Sequence, residues 1–366
     1  MKLIINREEL IKSLYQINSA LSSRPILPIL NNILLRVNEG VLQLITTDLE
    51  IEIIINILLN KRYEIGETTI PARKFYEIWK NLPEFSEIKL EINNNKLTID
   101  SGRSHFLLST LPSVNFPNIN IWKSKIDFSI SQTTLKNLIE ATQFSMANQD
   151  IRYYLNGMLI ETKNQIIRSV STDGHRLSIY DANIEFTVPY NKIIIPRKGV
   201  IELLHLLNNN NSLVKIEIGE NNIRAYLNNI IFTSKLIDGH FPDYHQVLPK
   251  NTNKILETNC DSLKQALLRT SILSNKINLG VRLYLSKNQL CITANNQEQE
   301  IAEETIDVMY HGIDIEICFN VKYILDILSV IKSKYVQFLL TDSISSVLIK
   351  NPEKQTAIYV IMPMRL

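Results

Sequence analysis

The chain has 366 residues, 45% hydrophobic and 21% charged, and its 39 Lys and Arg stand against 37 Asp and Glu for a formal charge of +2. That is the make-up of a folded chain of two or three domains; it excludes disordered, collagen-like and disulfide-scaffold classes, and it excludes gripping a polyanion by bulk charge alone. Three scattered cysteines (Cys260, Cys291, Cys318), an N-terminus with no apolar run before its first charges, and a greasiest stretch over 51–59 too short to span a bilayer set the expectation of a cytoplasmic protein with no membrane partner.

Along the chain, two periodicities alternate. Apolar residues three and four apart predict helices within 7–17, 69–82, 133–143, 194–207, 261–271 and 318–331. Period-two alternation around Asn- or Gly-containing turns predicts hairpins over 89–100 and 214–227. The pattern then repeats. Thr47-Asp48 and Thr172-Asp173, Pro71 and Pro196, and Phe116-Pro117 and Phe241-Pro242 all lie 125 apart. A third, fainter copy follows. Aligning 69–82, 194–207 and 318–331 puts Arg73, Lys198 and Lys322 at one position and Glu77, Glu202 and Asp326 at another. Leu10, Leu135 and Leu263 align the other three helices; Asn295 replaces Asp48 and Asp173, and the third copy has no Phe-Pro. So long a period means tandem domains rather than a solenoid. The expected class is α+β: three domains, each with two helices packed on antiparallel sheet, over 1–124, 125–251 and 252–366. Polar residues mark the breaks near Trp122–Asp127 and Lys250–Ile255.

The glycines exclude familiar chemistry. Gly157 and Gly174, the nearest pair, are 17 apart, so no dinucleotide fingerprint, P-loop or GxSxG turn exists. The six histidines form no HExxH motif. No cofactor, metal or catalytic site is expected. Asp173-Gly174-His175 resembles a catalytic pair, but Asp-Gly is a common turn dipeptide and neighbours on a strand point to opposite faces.

Three similar domains describe an arc that further copies close into a ring or extend into a filament. Closure needs complementary ends. Lys74, Lys96, Arg103 and His105 surround the strand 106–109, while Glu298, Glu300, Glu303 and Glu304 crowd seven residues. Both are either solvated charge clusters or a closing interface, and the repeat favours the interface, with Phe106, Leu108, Ile272 and Leu273 nominated as its apolar centre. The C-terminal run 359–366 is apolar and contains Met362 and Met364; it is either a core strand or a surface held ready for a partner.

The segments RPILPILNNILL (24–35), TTDLE (46–50), PARKF (71–75), SGRSHFLLSTLP (101–112), IEATQFSMANQDIRYYLNGML (139–159), STDGHRL (171–177), IPRKGVIELL (195–204), NNIRAYLNNIIFTSKLIDGHFPDY (221–244), TDSISSV (341–347) and YVIMPMRL (359–366) resemble the bacterial beta sliding clamps, the processivity subunits of DNA polymerase III. The likeness covers the whole chain. It implies a non-catalytic head-to-tail homodimeric ring of six domains, with twelve helices lining a hole around double-stranded DNA. Sequence-independent encirclement needs no base readout and disfavours dense phosphate neutralisation. Arg73, Lys198 and Lys322, with Lys136 and Lys264, are then candidates to face DNA; the other reading is a solvated helix face with pairs such as Arg73 to Glu77. The resemblance adds Arg24 and the loop 148–154 with Gln149, Arg152, Tyr153 and Tyr154.

It also implies a groove between the second and third domains, lined by Leu155, Thr172, Gly174, His175, Arg176, Leu177, Pro242, Val247, Asn320, Tyr323, Ile344, Ser346, Val360, Met362, Pro363 and Met364. Such a groove captures short motifs, roughly Gln-Leu-x-Leu-Phe, from the replicative polymerase, the clamp loader ATPase, other polymerases, ligase and mismatch-repair proteins. Three positions depart from the family: His105 stands where a basic residue is usual, Ile301 where an acid is, and Gln246 where a basic groove rim is expected. The competing reading is a monomeric three-domain peptide scaffold without topological linkage to DNA.

Overall fold

A computed structural model of the chain describes residues 1–21, 27–117, 122–250, 252–275 and 279–364, the side chains of 19 and 20 excepted. Arg24 lies outside the described residues. Six α-helices fall within them: α1 (Arg7–Ala20), α2 (Ala72–Asn81), α3 (Gln132–Thr142), α4 (Arg197–Leu206), α5 (Cys260–Thr270) and α6 (Val321–Val330). Each sits where periodicity predicts one, with one systematic difference. The expected starts at 69, 194 and 318 belong to the ends of strands Gly66–Pro71, Arg176–Pro196 and Ile315–Asn320. Pro71 and Pro196 have no N–H to donate and hold the chain extended just before each helix. Asn320 does the same work by capping, its side chain accepting from the Lys322 N–H at 3.0 Å.

The described residues gather into two compact units, Met1–Thr133 with Lys198–Leu236, and Thr134–Arg197 with Ile237–Leu366. In the first, a five-stranded sheet runs in the order Tyr63–Glu64, Lys2–Asn6, Glu87–Asn93, Lys96–Ser101, Ser104–Ser109. An eight-stranded sheet runs Ile126–Ser131, Leu213–Ile218, Asn222–Leu227, Ile230–Lys235, Ile51–Leu58, Val41–Thr47, Asn32–Asn38, Gly66–Pro71. The predicted hairpin over 89–100 turns at Asn94 and Asn95, both in the left-handed region (φ 46° and 60°) that a two-residue hairpin requires. Helices α1 and α2 clasp each other: the Trp79 indole donates to the Arg7 carbonyl at 3.0 Å, and Arg7 Nε donates to the Trp79 carbonyl at 3.1 Å.

The second unit carries a seven-stranded sheet in the order Gly157–Thr172, Arg176–Pro196, Ala357–Ile361, Val347–Lys350, Tyr335–Leu340, Lys254–Asn259, Met309–Tyr310. Its four-stranded sheet runs Ile301–Asp307, Gln289–Asn295, Gly280–Ser286, Ile315–Asn320. Cys260, Leu263, Leu267 and Thr270 form the buried stripe of α5, and Val321, Ile324, Ile327 and Leu328 that of α6. Each fully buried Leu or Ile contributes roughly 1.5–3 kcal/mol, enough to hold a short helix that is marginal alone.

The 125-residue period is also written in hydrogen bonds. Asp48 Oδ1 accepts the N–H groups of Glu50 (2.9 Å) and Ile51 (2.8 Å), while Thr47 Oγ1 donates to the Ile51 carbonyl (2.7 Å). Asp173 Oδ1 accepts from His175 (2.9 Å) and Arg176 (3.1 Å), while Thr172 Oγ1 donates to the Arg176 carbonyl (2.6 Å). A Thr-Asp pair thus builds the same turn twice, before strands Ile51–Leu58 and Arg176–Pro196.

Candidate peptide groove and sheet edges

A cavity of about 180 Å³ opens beside the second of these turns. Four elements build it: the loop that ends at Leu155, the turn 172–177, the short 3₁₀ helix Tyr244–Val247, and the last strand running into Met362. Ten expected residues line it together: Leu155, Thr172, Gly174, His175, Arg176, Leu177, Pro242, Val247, Val360 and Met362. Arg152 and Tyr154, expected toward DNA, line it too. Asn320, Tyr323, Ile344, Ser346, Pro363 and Met364 do not line this cavity. Ile344 is 79% exposed. Pro363 and Met364 continue beyond the strand, where the Met362 N–H reaches the His175 carbonyl (3.0 Å) and the Met364 N–H the Cys318 carbonyl (2.8 Å).

Arg176 organises the floor. Nε donates to Asp173 Oδ2 (2.9 Å), Nη1 to Asp326 Oδ2 (2.6 Å), and Nη2 to the Phe144 carbonyl. The guanidinium also lies 4.5 Å from the Tyr323 ring centroid. Tyr323 therefore stands directly behind a groove residue. With 9% of its side chain exposed, Arg176 is compensated by two carboxylates, as a buried charge must be.

Asp243 and Tyr244 were not expected. Tyr244 is buried; its hydroxyl donates to Glu161 Oε2 (2.8 Å) and accepts from Arg168 Nη1 (3.2 Å), while Arg168 grips Asp181 through two bonds of 2.6 and 2.7 Å. Burial pushes the Tyr244 hydroxyl above its usual range, keeping it a donor. Asp243 caps the 3₁₀ helix by accepting from the His245 N–H at 3.2 Å, and the bond from the Gln246 amide (2.9 Å) holds its carboxyl below the usual range. So Gln246, though exposed, is tied to Asp243. The only hint in the sequence was the Phe-Pro repeat, whose first copy continues Asn118-Ile119 and offers no tyrosine to compare.

Of the other residues expected toward DNA, Arg73 and Lys322 are exposed and Lys264 is half-buried. The Arg73–Glu77 pair of the alternative, solvated-face reading is absent among the described ion pairs. Lys136 approaches Glu140 at 3.9 Å. Lys198 is bonded to Asp48. Gln149 is exposed with φ 57°, and the rings of Tyr153 and Tyr154 meet edge-on at 5.7 Å.

Among the end strands of the four sheets, two lie where the closing interface was expected. Ser104–Ser109 closes the five-stranded sheet, and Ile301–Asp307 the four-stranded one. Lys74, Lys96 and Arg103 are exposed around the first; Phe106 and Leu108 are half-buried on it. His105 Nδ1 lies 2.6 Å from Asp100 Oδ1. Around the second, Glu298, Glu300 and Glu303 are exposed, Ile272 is 78% exposed and Leu273 half-buried. Glu304 is taken up by Arg269, whose Nε donates to it at 2.9 Å and holds its carboxyl below the usual range.

Family models of the DNA polymerase III beta subunit match the chain in three consecutive pieces: the N-terminal domain over 1–120, the central domain over 129–243 and the C-terminal domain over 245–365. The chain belongs to this family. It comprises three tandem clamp domains, and its relatives are beta sliding clamps. It is 53% identical over 366 residues to the beta sliding clamp of Escherichia coli K12 and 54% identical over 367 to that of Proteus mirabilis, with all of both chains covered in each case. The crystal structure of the DNA polymerase III subunit beta from Pseudomonas aeruginosa matches at TM-score 0.96 and 44% identity, and Caulobacter crescentus pol III beta at 0.94 and 33%, again over the whole of both chains.

Proposed function

We propose that this chain is the processivity clamp of a replicative polymerase: two copies close head to tail around duplex DNA and capture partners in the groove. The observation that carries this is a rule of strand pairing. Strand Ile230–Lys235 pairs with Ile51–Leu58, and Ala357–Ile361 pairs with Arg176–Pro196. In both cases the last strand of one copy joins the strand that follows the copied turn of the copy before. Among the described residues two strands of those kinds lack this junction partner and keep one side open: Ser104–Ser109, the last of the first copy, and Ile301–Asp307, which follows the turn of the third. A second chain supplies the missing partner for each. Unpaired strand edges demand such cover, and a heterologous contact that closes gives a ring.

Domains divided at 124 and 251 keep each strand pair of this rule as a junction between neighbours. The chain is an accessory subunit without chemistry of its own. No helix among the described residues is long and apolar enough to cross a membrane, and a cytoplasmic, nucleoid-associated place suits the role. Short Gln-Leu-x-Leu-Phe motifs from the polymerase, clamp loader, ligase and mismatch-repair proteins fit a small, largely apolar cavity rimmed by Arg152, His175 and Asp243. The rival monomeric scaffold leaves both edges bare.

The deciding experiment is topological. Protein loaded onto nicked circular DNA by a working clamp loader is retained on the circle and lost when the circle is linearised. Equal retention on both forms would mean ordinary surface binding. Replacing both Ile272 and Leu273 by Ala yields 42.2 kDa monomers by light scattering; an unchanged doubled mass removes those residues from the interface.

A further inference from the structure

We propose that Asn156 is the positioning residue for peptide capture, holding the loop 150–155 so that Arg152 lies across the mouth of the groove. The inference rests on the groove being a peptide site. Asn156 spends both side-chain atoms on one residue: Oδ1 accepts from the Asp150 N–H (2.9 Å) and Nδ2 donates to the Asp150 carbonyl (2.8 Å). It thereby closes the loop as a strand neighbour does, where no strand is present. Its backbone anchors the closure, its N–H reaching the Tyr153 carbonyl (3.0 Å) and its carbonyl accepting from Arg197 N–H (2.9 Å).

Asp150, so held, fixes Arg152. Asp150 Oδ1 accepts from the Arg152 N–H (2.8 Å) and Nε (3.0 Å), and Oδ2 from Nη2 (2.8 Å). Nη2 reaches the Asp173 carbonyl at 3.3 Å, across the turn that forms the opposite wall. The guanidinium fills the space a side chain on Gly174 would occupy: a Cβ there would lie 2.9 Å from Nη2. Leu155, at the end of the same loop, is buried and lines the cavity. The order of dependence is Asn156, then Asp150, then Arg152. Only asparagine meets this need at its length. Aspartate keeps the acceptor but loses the donor to the Asp150 carbonyl, and glutamine is one methylene too long.

The test is a double-mutant cycle read by fluorescence anisotropy with a labelled Gln-Leu-Ser-Leu-Phe peptide. Asn156→Ala weakens binding about 10-fold, and Arg152→Ala weakens it at least as much. The double variant binds no worse than Arg152→Ala alone, because Asn156 acts through Arg152. A merely structural residue would give losses that multiply. Hydrogen exchange quickens at 150–155 and stays unchanged in Gly157–Thr172 and Arg176–Pro196. Asn156→Asp, which keeps the shape and one of the two bonds, shows the same pattern if the alanine variant folds poorly. Multiplying losses, or wild-type affinity in both Asn156 variants, overturns the proposal. Failure of the wild-type chain to bind the peptide overturns the groove reading itself, and this inference with it.

Discussion

The two Thr-Asp turns are one structure put to two uses. Each is knit by the same Thr and Asp side-chain bonds, and each leads into a strand that another copy's last strand joins. At the residue after Asp, both turns take a left-handed backbone: Leu49 has φ 79° and Gly174 φ 89°. The first turn bears the strain of a leucine there; the second removes the side chain, and Arg152 occupies the room. At the closing position the first has Ile51, buried in the sheet, and the second has Arg176, tied to Asp173 and Asp326. Each turn also meets a helix through an ion pair, with the signs exchanged: Lys198 of α4 reaches Asp48, whereas Asp326 of α6 reaches Arg176. The two copies share one scaffold, and a few different residues at the second turn leave it lining a cavity.

The largest expected effect separates the two ion pairs. Arg176→Met strands two carboxylates around a nearly buried site and costs about 3–5 kcal/mol. Lys198→Met removes a partner that is 36% exposed and costs at most about 1 kcal/mol after solvent screening. Urea denaturation followed by circular dichroism measures both; equal costs would mean the two junctions are energetically alike. Next comes the turn itself. Gly174→Leu makes the second turn resemble the first. Since Leu49 shows that a leucine is tolerated at this φ, the chain should fold, yet the new side chain collides with the Arg152 guanidinium and blocks the groove. Peptide affinity should fall about 100-fold, near 2.7 kcal/mol. Unchanged affinity would show that the mouth of the cavity is not where peptide enters.

Much of this comparison was legible in the sequence, for a physical reason. Helical and strand periods follow from which face meets the core, so six helices and the hairpin at Asn94-Asn95 appear as patterns of apolar residues. The period of 125 exposed the paired turns because Thr and Asp make local bonds that depend on neighbours in the chain. What stayed hidden depends on distant partners. Nothing near Lys198 in sequence announces Asp48, and nothing near Glu304 announces Arg269, yet these pairs change what each charge is free to do. Tyr244 escaped for the same reason, its hydroxyl being satisfied by Glu161 and Arg168, both on the distant strand Gly157–Thr172. Ten of the sixteen expected groove positions line the cavity, and they were reached only through likeness to the clamp family, since no periodicity separates a cavity-lining residue from a core residue.

The smallest effect tests whether the specialised turn holds its loop by charge. Arg152 bonds to the Asp150 carboxyl and lowers its pKa to about 2. A depressed carboxyl favours the folded arrangement above its ordinary titration range and loses that contribution only as pH falls through the folded value. The Asp150–Arg152 bond should therefore persist unchanged from pH 8 to pH 4 and weaken only near pH 2. Carbon NMR of labelled aspartate should place the Asp150 midpoint near 2 and return it toward the ordinary aspartate range, near 3.9, in Arg152→Met. The first turn has no such loop, so its Asp48 provides the internal contrast: its chemical shift should not respond to Arg152→Met. A midpoint at the ordinary value in the unsubstituted chain would show that the bonds from the Asn156 side chain to the Asp150 backbone hold the loop without help from the ion pair.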